Sequence, residues 1–285
     1  MSTVQDANTT VVSGFHPLDV ALRMTPQHDG SMQAVAPAAY WNMVGPYGGI
    51  TAAQMLQAVL AQPNLLGEPV SITVNFAGPV ASGDMRIEAV AVRTNRSTQH
   101  WTVSMGQRNA EGEYEICTTA TVITAVRRET FSMDSLDPPA MPDPATCERY
   151  DTQGAMEWLH RYDMRVVQGA IPTVWDDSGQ ESISQLWVRD VPPRPLDLPA
   201  LAALCDVFFP RIWLQRARRV PAGTVGMTVY FHAGSEQLAQ QADRHVLAQA
   251  SAQAFRNGYF DQTAQLWDAE GSLLATSHQI VYYKE

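Results

Sequence analysis

The strongest constraint on this chain is that its letters repeat. The stretch "VNFAGPV" (74–80) is answered by "VYFHAGS" (229–235), and "QRNAEGEYEICTTAT" (107–121) by "LWDAEGSLLATSHQI" (266–280). The order of elements repeats with them. A buried helix pattern, "GPYGGITAAQMLQAVLAQPN", opens on glycines, runs through Ile50, Met55, Leu56 and Val59, and closes at Pro63-Asn64. Four β-like runs follow it: "PVSITVNFAGPV", "DMRIEAVAVRT", "QHWTVSMGQRN" and "YEICTTATVITAVRR". The second half reads "ISQLWVRDV", a helix-like "DLPALAALCDVFF", then "TVGMTVYFHA", "HVLAQASAQAFRN", "YFDQTAQLWDA" and "LLATSHQIVYYK". A period near 155 residues in a 285-residue chain is a tandem duplication rather than a solenoid. Two copies of one α+β unit, packed as a pseudo-dimer, are the expected architecture.

Between the copies the pattern breaks. "ETFSMDSLDPPAMPDPATCERYD" gathers prolines with acidic and small residues, which suits an extended connection. The expected organisation is a first unit over 1–127, a Pro-rich linker over 128–155, and a second unit over 156–285 that carries most of the site.

Charge and cysteine content narrow the function. With 29 acidic and 19 basic residues the net charge is −10, which argues against nucleic acid or an anionic membrane as the main partner and favours a small molecule. The three cysteines, Cys117, Cys147 and Cys205, form no CxxC pair and suggest reduced thiols. "MSTVQDANTT" lacks the basic and apolar pattern of a leader, and "YYKE" carries no targeting tripeptide, so a soluble cytoplasmic protein is expected. The seven histidines show no metal-like spacing with cysteines or carboxylates, so no metal and no cofactor is expected. There is no G-x-S-x-G elbow, and "GPYGG" lacks the Lys-Ser/Thr ending of a phosphate loop.

One residue stands out against its neighbours. Asp206 is the sole carboxylate in "LAALCDVFFPRIW", and a buried carboxylate needs a partner. On a helix it would lie about 100° from Cys205, so a solvent-facing stripe is the plain alternative.

The motifs "GPYGGITAAQMLQA", "FAGPVASGDM", "VRTNRSTQHW", "SQLWVRD" and "ATSHQ", in that order, resemble the acyl-CoA thioesterase II (TesB-like) double-hotdog family over nearly the whole chain outside the linker. The resemblance implies an α+β fold of two tandem hotdogs, each a long central helix wrapped by an antiparallel sheet. It implies hydrolysis of an acyl thioester, with CoA entering as part of the substrate, and protomers that can assemble into a homo-oligomer. Its catalytic aspartate, threonine and glutamine fall on Asp206, Thr224 and Gln279, which would position and polarise a water. Amides at the "YGGI" helix start, Gly48 and Gly49, are candidate oxyanion donors.

Phe208, Phe209, Trp213, Thr228, His232 and Tyr259 are candidate pocket residues. Arg93, Arg96 and Arg216 are candidates for the CoA phosphates, with Arg218 and Arg219 beside the last of them; a solvated basic face is the plain reading of "RIWLQRARR". The chain departs from the family pattern at Gly226-Met227, where an Asp-His pair is usual. The repeat sets Ala120 opposite Gln279 and Pro69 opposite Thr224, so one working site is expected.

Taken singly, Thr224 reads as an ordinary strand residue and Gln279 as an exposed strand amide. Thr228 is the register rival of Thr224 on the same strand. Two other functions remain open: a hotdog hydratase or tailoring enzyme, although its D-x-N-P-x-H string is absent, and a non-catalytic acyl-binding module.

Overall fold

The computed structural model describes residues 14–285. The expectation that the first ten residues hold no leader lies outside them, as does the start of the first unit. The first half contributes α1 (Pro17–Ala21), β1 (Thr25–Pro26), β2 (Met32–Val35), α2 (Gly48–Leu60), β3 (Glu68–Phe76), β4 (Asp84–Thr94), β5 (Thr98–Arg108) and β6 (Tyr114–Ala125). The second contributes β7 (Tyr162–Gln168), β8 (Ser184–Asp190), α3 (Leu198–Leu204), α4 (Arg211–Arg216), β9 (Ala222–Phe231), α5 (Ser235–Gln241), β10 (Val246–Ser251), β11 (Phe255–Arg256), β12 (Tyr259–Trp267) and β13 (Leu273–Tyr283).

All the strands join one antiparallel sheet in the order β1-β2-β4-β5-β6-β3-β9-β13-β12-β10-β8-β7, with β11 paired to β12. The order is a palindrome about the β3–β9 seam, the signature of two copies related by a twofold rotation. At the seam Thr73 lies opposite Thr228, with Ile72 opposite Val229 and Val74 opposite Met227. The axis passes between the two threonines, whose hydroxyl oxygens are 3.0 Å apart. Ile72, Val74, Met227 and Val229 alternate with them on the buried face.

Helix α2 is buried along most of its length because Ile50, Met55, Leu56 and Val59 point into both sheet and helix neighbours. It packs against α3 across the centre of the molecule. The second helix is shorter than expected. Asp197 caps α3 by accepting from the Ala200 N–H at 2.9 Å, but the helix stops at Leu204, and a separate α4 starts only after Pro210. A proline biases the residue before it, here Phe209, away from helical backbone, so α3 does not run through into α4. The double-hotdog architecture stands; the long central helix belongs to the first half.

The connection after β6 is not a free tether. It crosses the outer face of the second half, where Trp187, Leu247 and Trp267 form a small apolar cluster with Met141 and Cys147. The Trp187 indole donates to the Pro142 carbonyl at 2.9 Å, and Asp134 accepts from the Leu273 N–H at 3.0 Å. Tyr162–Gln168, an edge strand of the second half, was not anticipated from the sequence.

Candidate active site

Asp206 sits one residue past the α3 C-cap, Cys205, where its N–H donates to the Ala203 carbonyl at 3.1 Å. Its direction is set by this turn and not by helical phase: the side chain faces the start of α2. A Cβ on Gly48 would come within 2.7 Å of Asp206 Oδ2 and 3.2 Å of the Phe76 ring. A Cβ on Gly49 would meet the Ala203 carbonyl oxygen at 2.5 Å. The paired glycines therefore let the α2 N-terminus approach the α3 C-terminus and its carboxylate.

Asp206 Oδ1 accepts from Gln279 Nε2 at 2.8 Å, and Gln279 Oε1 accepts from the Thr224 hydroxyl at 3.1 Å. The carboxylate, which only accepts, fixes which end of the amide faces it, and the Thr224 hydroxyl donates to the other end. Burial pushes the Asp206 carboxyl up to about 6, opposed by the Gln279 amide and the Gly49 backbone N–H. The N-terminal end of a buried helix is a favourable place for that charge.

Thr224 reaches the interior through a β-bulge. The β9–β13 register pairs Gly226 with Ile280 and Thr224 with Val281, leaving Val225 unpaired. The extra residue reverses the alternation, so Thr224 falls on the same face as Met227 and Val229 while Val225 is exposed. The first half has the same bulge, between Pro69 and Ser71. Matching the two registers puts Val122, which follows Ile72, opposite Gln279, which follows Met227. That corrects the partner from Ala120, because each hairpin has a one-residue bulge, at Cys117 and at Leu274, but three residue pairs separate it from the turn in the first half and one in the second. Pro69 and Val122 carry no polar group, so this half lacks two of the three groups.

The three side chains open onto a cavity of about 500 Å³. Phe208, Phe209 and Trp213 line it, as do Gly48 and Arg219. So do Tyr150, Trp158, Trp175 and Gln262, which sequence reasoning did not single out. Tyr150 and Trp158 come from the end of the connection and the turn after it, which carry no motif. Tyr150 packs on Phe209 at 5.6 Å between ring centres, and Trp158 stacks on Tyr47 at 4.8 Å. Tyr47, buried at the α2 N-cap, donates its hydroxyl to the Ala203 carbonyl at 3.1 Å and bonds the Tyr162 hydroxyl.

Other candidates lie elsewhere. Thr228 is on the outer face at the seam, because the bulge separates its parity from that of Thr224. His232 is exposed beyond the end of β9, 3.1 Å from the Thr276 hydroxyl. Tyr259 is 48% exposed at the start of β12. Arg93 and Arg96 sit at the β4–β5 turn, tied through Gln99 to Asn64 and Leu66 beyond the far end of α2. A 13-residue helix, roughly 18 Å long, separates them from Gly48. Arg216 is engaged by Asp177 and Glu285, each at 3.2 Å, and Arg218 by Asp177 at 3.0 Å. Arg219, over the Trp213 ring at 5.8 Å, is the arginine of this run that lines the cavity.

The model of the acyl-CoA thioesterase N-terminal domain matches residues 37–125, and that of the acyl-CoA thioesterase C-terminal domain matches residues 134–283. No curated protein sequence matches the chain. Among solved structures, a conserved protein of unknown function with a hot dog fold from Alicyclobacillus acidocaldarius is 43% identical. Its TM-score is 0.89, and the alignment covers 95% of this chain and 99% of that one. An acyl-CoA thioesterase II, TesB2, from Mycobacterium marinum has the same fold at 17% identity and a TM-score of 0.73, over 94% of this chain and 98% of its own. The dehydratase domain of PpsC from Mycobacterium tuberculosis shares the fold more distantly, with a TM-score of 0.56 at 14% identity, over 95% of this chain and all of its own. Both halves matching in order, on a palindromic double-hotdog sheet, place the chain in the acyl-CoA thioesterase family of thioester hydrolases.

Proposed function

We propose that the protein hydrolyses an acyl-CoA thioester at Asp206, Thr224 and Gln279, with water as the nucleophile. The hydrogen-bonded relay from the Thr224 hydroxyl through the Gln279 amide to the Asp206 carboxylate, at the wall of the cavity, supports this reading best. A carboxyl held near 6 is ionised at neutral pH and basic enough to take a proton from water. Thr224 and Gln279 hold it in one orientation, so a water on its free side faces the thioester carbonyl in a fixed geometry.

In the reaction, the water oxygen forms a bond to the carbonyl carbon while one water proton passes to Asp206. Collapse of the tetrahedral intermediate breaks the C–S bond, and the proton on Asp206 goes to the departing sulfur. The products are a free acid and a thiol, and the carboxylate is regenerated. The Gly48 backbone N–H, at the start of α2 on the cavity wall, is the donor offered to the developing oxyanion, since the Gly49 N–H already faces the Asp206 carboxylate. Arg219 at the cavity wall is placed to meet an anionic part of the thioester.

The test is thiol release from a panel of acyl-CoAs, followed with a thiol reagent. Wild type is expected to turn over at least one of them, and Asp206→Asn to lose at least about 10³-fold in kcat while remaining folded. Thiol release by the Asp206→Asn variant at the wild-type rate, or none by wild type on any chain, would sink the assignment.

A further inference from the structure

The cavity wall has a composition that thioester chemistry alone does not require. The chain holds seven tryptophans, nine tyrosines and eight phenylalanines, and nine of these rings line this one cavity. They pack in two groups: Tyr150 tilted against Phe209 and Phe209 tilted against Trp158 at 6.4 Å, and Trp175 edge-on to Trp213 at 6.0 Å. A straight alkyl chain is accommodated by any apolar wall. Flat rings packed tilted and edge-on add a geometric preference for another ring, worth about 0.5–1.5 kcal/mol per pair beyond area.

One polar group interrupts the wall. Gln262 is 3% exposed, lines the cavity, and stands directly opposite Gln279 in the β12–β13 pairing. Cross-strand partners project to the same face, so its amide lies one strand spacing, about 5 Å, beyond that of Gln279 and on the side away from Thr224. That side is covered by α4, which packs on β12. Gln279 spends its amide on Thr224 and Asp206. No side-chain hydrogen bond joins Gln262 to a described residue, and its amide is not one of the sealed-off polar atoms of the core but opens to the cavity. An amide at a cavity wall bonds whatever the cavity holds, and loses about 1–3 kcal/mol where an apolar occupant displaces its water.

We infer that the cavity takes a ring-bearing acyl group with a hydrogen-bonding oxygen, such as a hydroxyaryl-acyl thioester, and that Gln262 is the residue that reads this oxygen. The inference rests on the thioesterase reading above and names the substrate class for the same site. The oxygen is assigned to the acyl side of the thioester, because Gln262 is separated from Thr224 by the whole width of β13 and shares the cavity wall with Phe208 and Phe209.

The experiment compares kcat/KM for octanoyl-, phenylacetyl- and 4-hydroxyphenylacetyl-CoA on the intact protein. The expected order is 4-hydroxyphenylacetyl above phenylacetyl by about tenfold or more, with phenylacetyl above octanoyl. In Gln262→Leu, and in the closer isostere Gln262→Met, the ratio between the two ring substrates should fall towards one. Octanoyl-CoA as the best substrate, or a hydroxyl preference unchanged by both substitutions, overturns the inference while leaving the hydrolase reading intact. An equal loss on all three substrates in these variants also overturns it, since Gln262 would then serve the carbonyl. Silence on all three, together with silence on every other acyl-CoA tried, removes the hydrolase reading itself.

Discussion

Asp206 is held at some cost to the fold. Its carboxyl is raised from 3.8 to about 6, mainly by burial, so the folded chain binds this proton more tightly than the unfolded chain does. Between pH 3.8 and 6 the stability contributed by Asp206 therefore falls as pH rises, and the ionised group at pH 7 costs about 1–3 kcal/mol. Two outcomes follow. The acid limb of kcat/KM should titrate near 6, since activity needs the ionised form. Asp206→Asn should melt above wild type at pH 7, by a margin that disappears at pH 4, where the folded wild type is already protonated. A lower melting temperature for the variant at pH 7 would show that the Gln279 and Gly49 contacts outweigh burial.

At the scale of elements, two local irregularities build the site. The end of α3 before Asp206 releases the carboxylate from helical phase, and the bulge at Val225 turns Thr224 inward. Arg211 steadies the first of these. It is fully buried, its Nε donates to the Phe209 carbonyl at 2.9 Å, and its Nη1 donates to Ser182 O at 2.9 Å and Ser184 Oγ at 2.7 Å. The turn carrying Asp206, Phe208 and Phe209 is thereby tied to β8. The bulge offers a clean test. Deleting Val225 removes the unpaired residue and leaves Thr224 two places before Met227, still opposite Val281 on the inner face. The deletion should therefore keep kcat within about tenfold of wild type, whereas Thr224→Val should lower it on the order of 10²-fold. Wild-type turnover by Thr224→Val would show that the Thr224 hydroxyl is dispensable.

Across the whole molecule the two halves share one sheet and one core. The β3–β9 seam buries Ile72, Val74, Met227 and Val229, and α2 packs on α3, so neither half completes its interior alone. The cavity of the proposed site draws Gly48 from one half and Asp206, Thr224 and Gln279 from the other. Unfolding should accordingly be one cooperative calorimetric transition, despite a length at which two domains often separate. Two transitions, one retained when the connection is cleaved, would contradict a shared core.

The repeat "VNFAGPV"/"VYFHAGS", the buried pattern of "ITAAQMLQAVL" and the lone carboxylate in "LCDVFFP" are local or periodic, and such signals specify how many units there are, which helix is buried and which charge needs a partner. The run "DLPALAALCDVFF" reads as one helix, yet α3 ends at Leu204 and Pro210 only sets where α4 begins. What no local pattern holds is parity and proximity across strands. A single unpaired residue, Val225, decides that Thr224 and not Thr228 faces Gln279. Gln262 gains its place only through its register opposite Gln279, and Tyr150 and Trp158 only because the connection returns over the cavity. Arg93 and Arg96 are set apart from the site by the length of α2. These outcomes depend on hydrogen-bonded pairing between segments far apart in the chain, which only the folded sheet fixes.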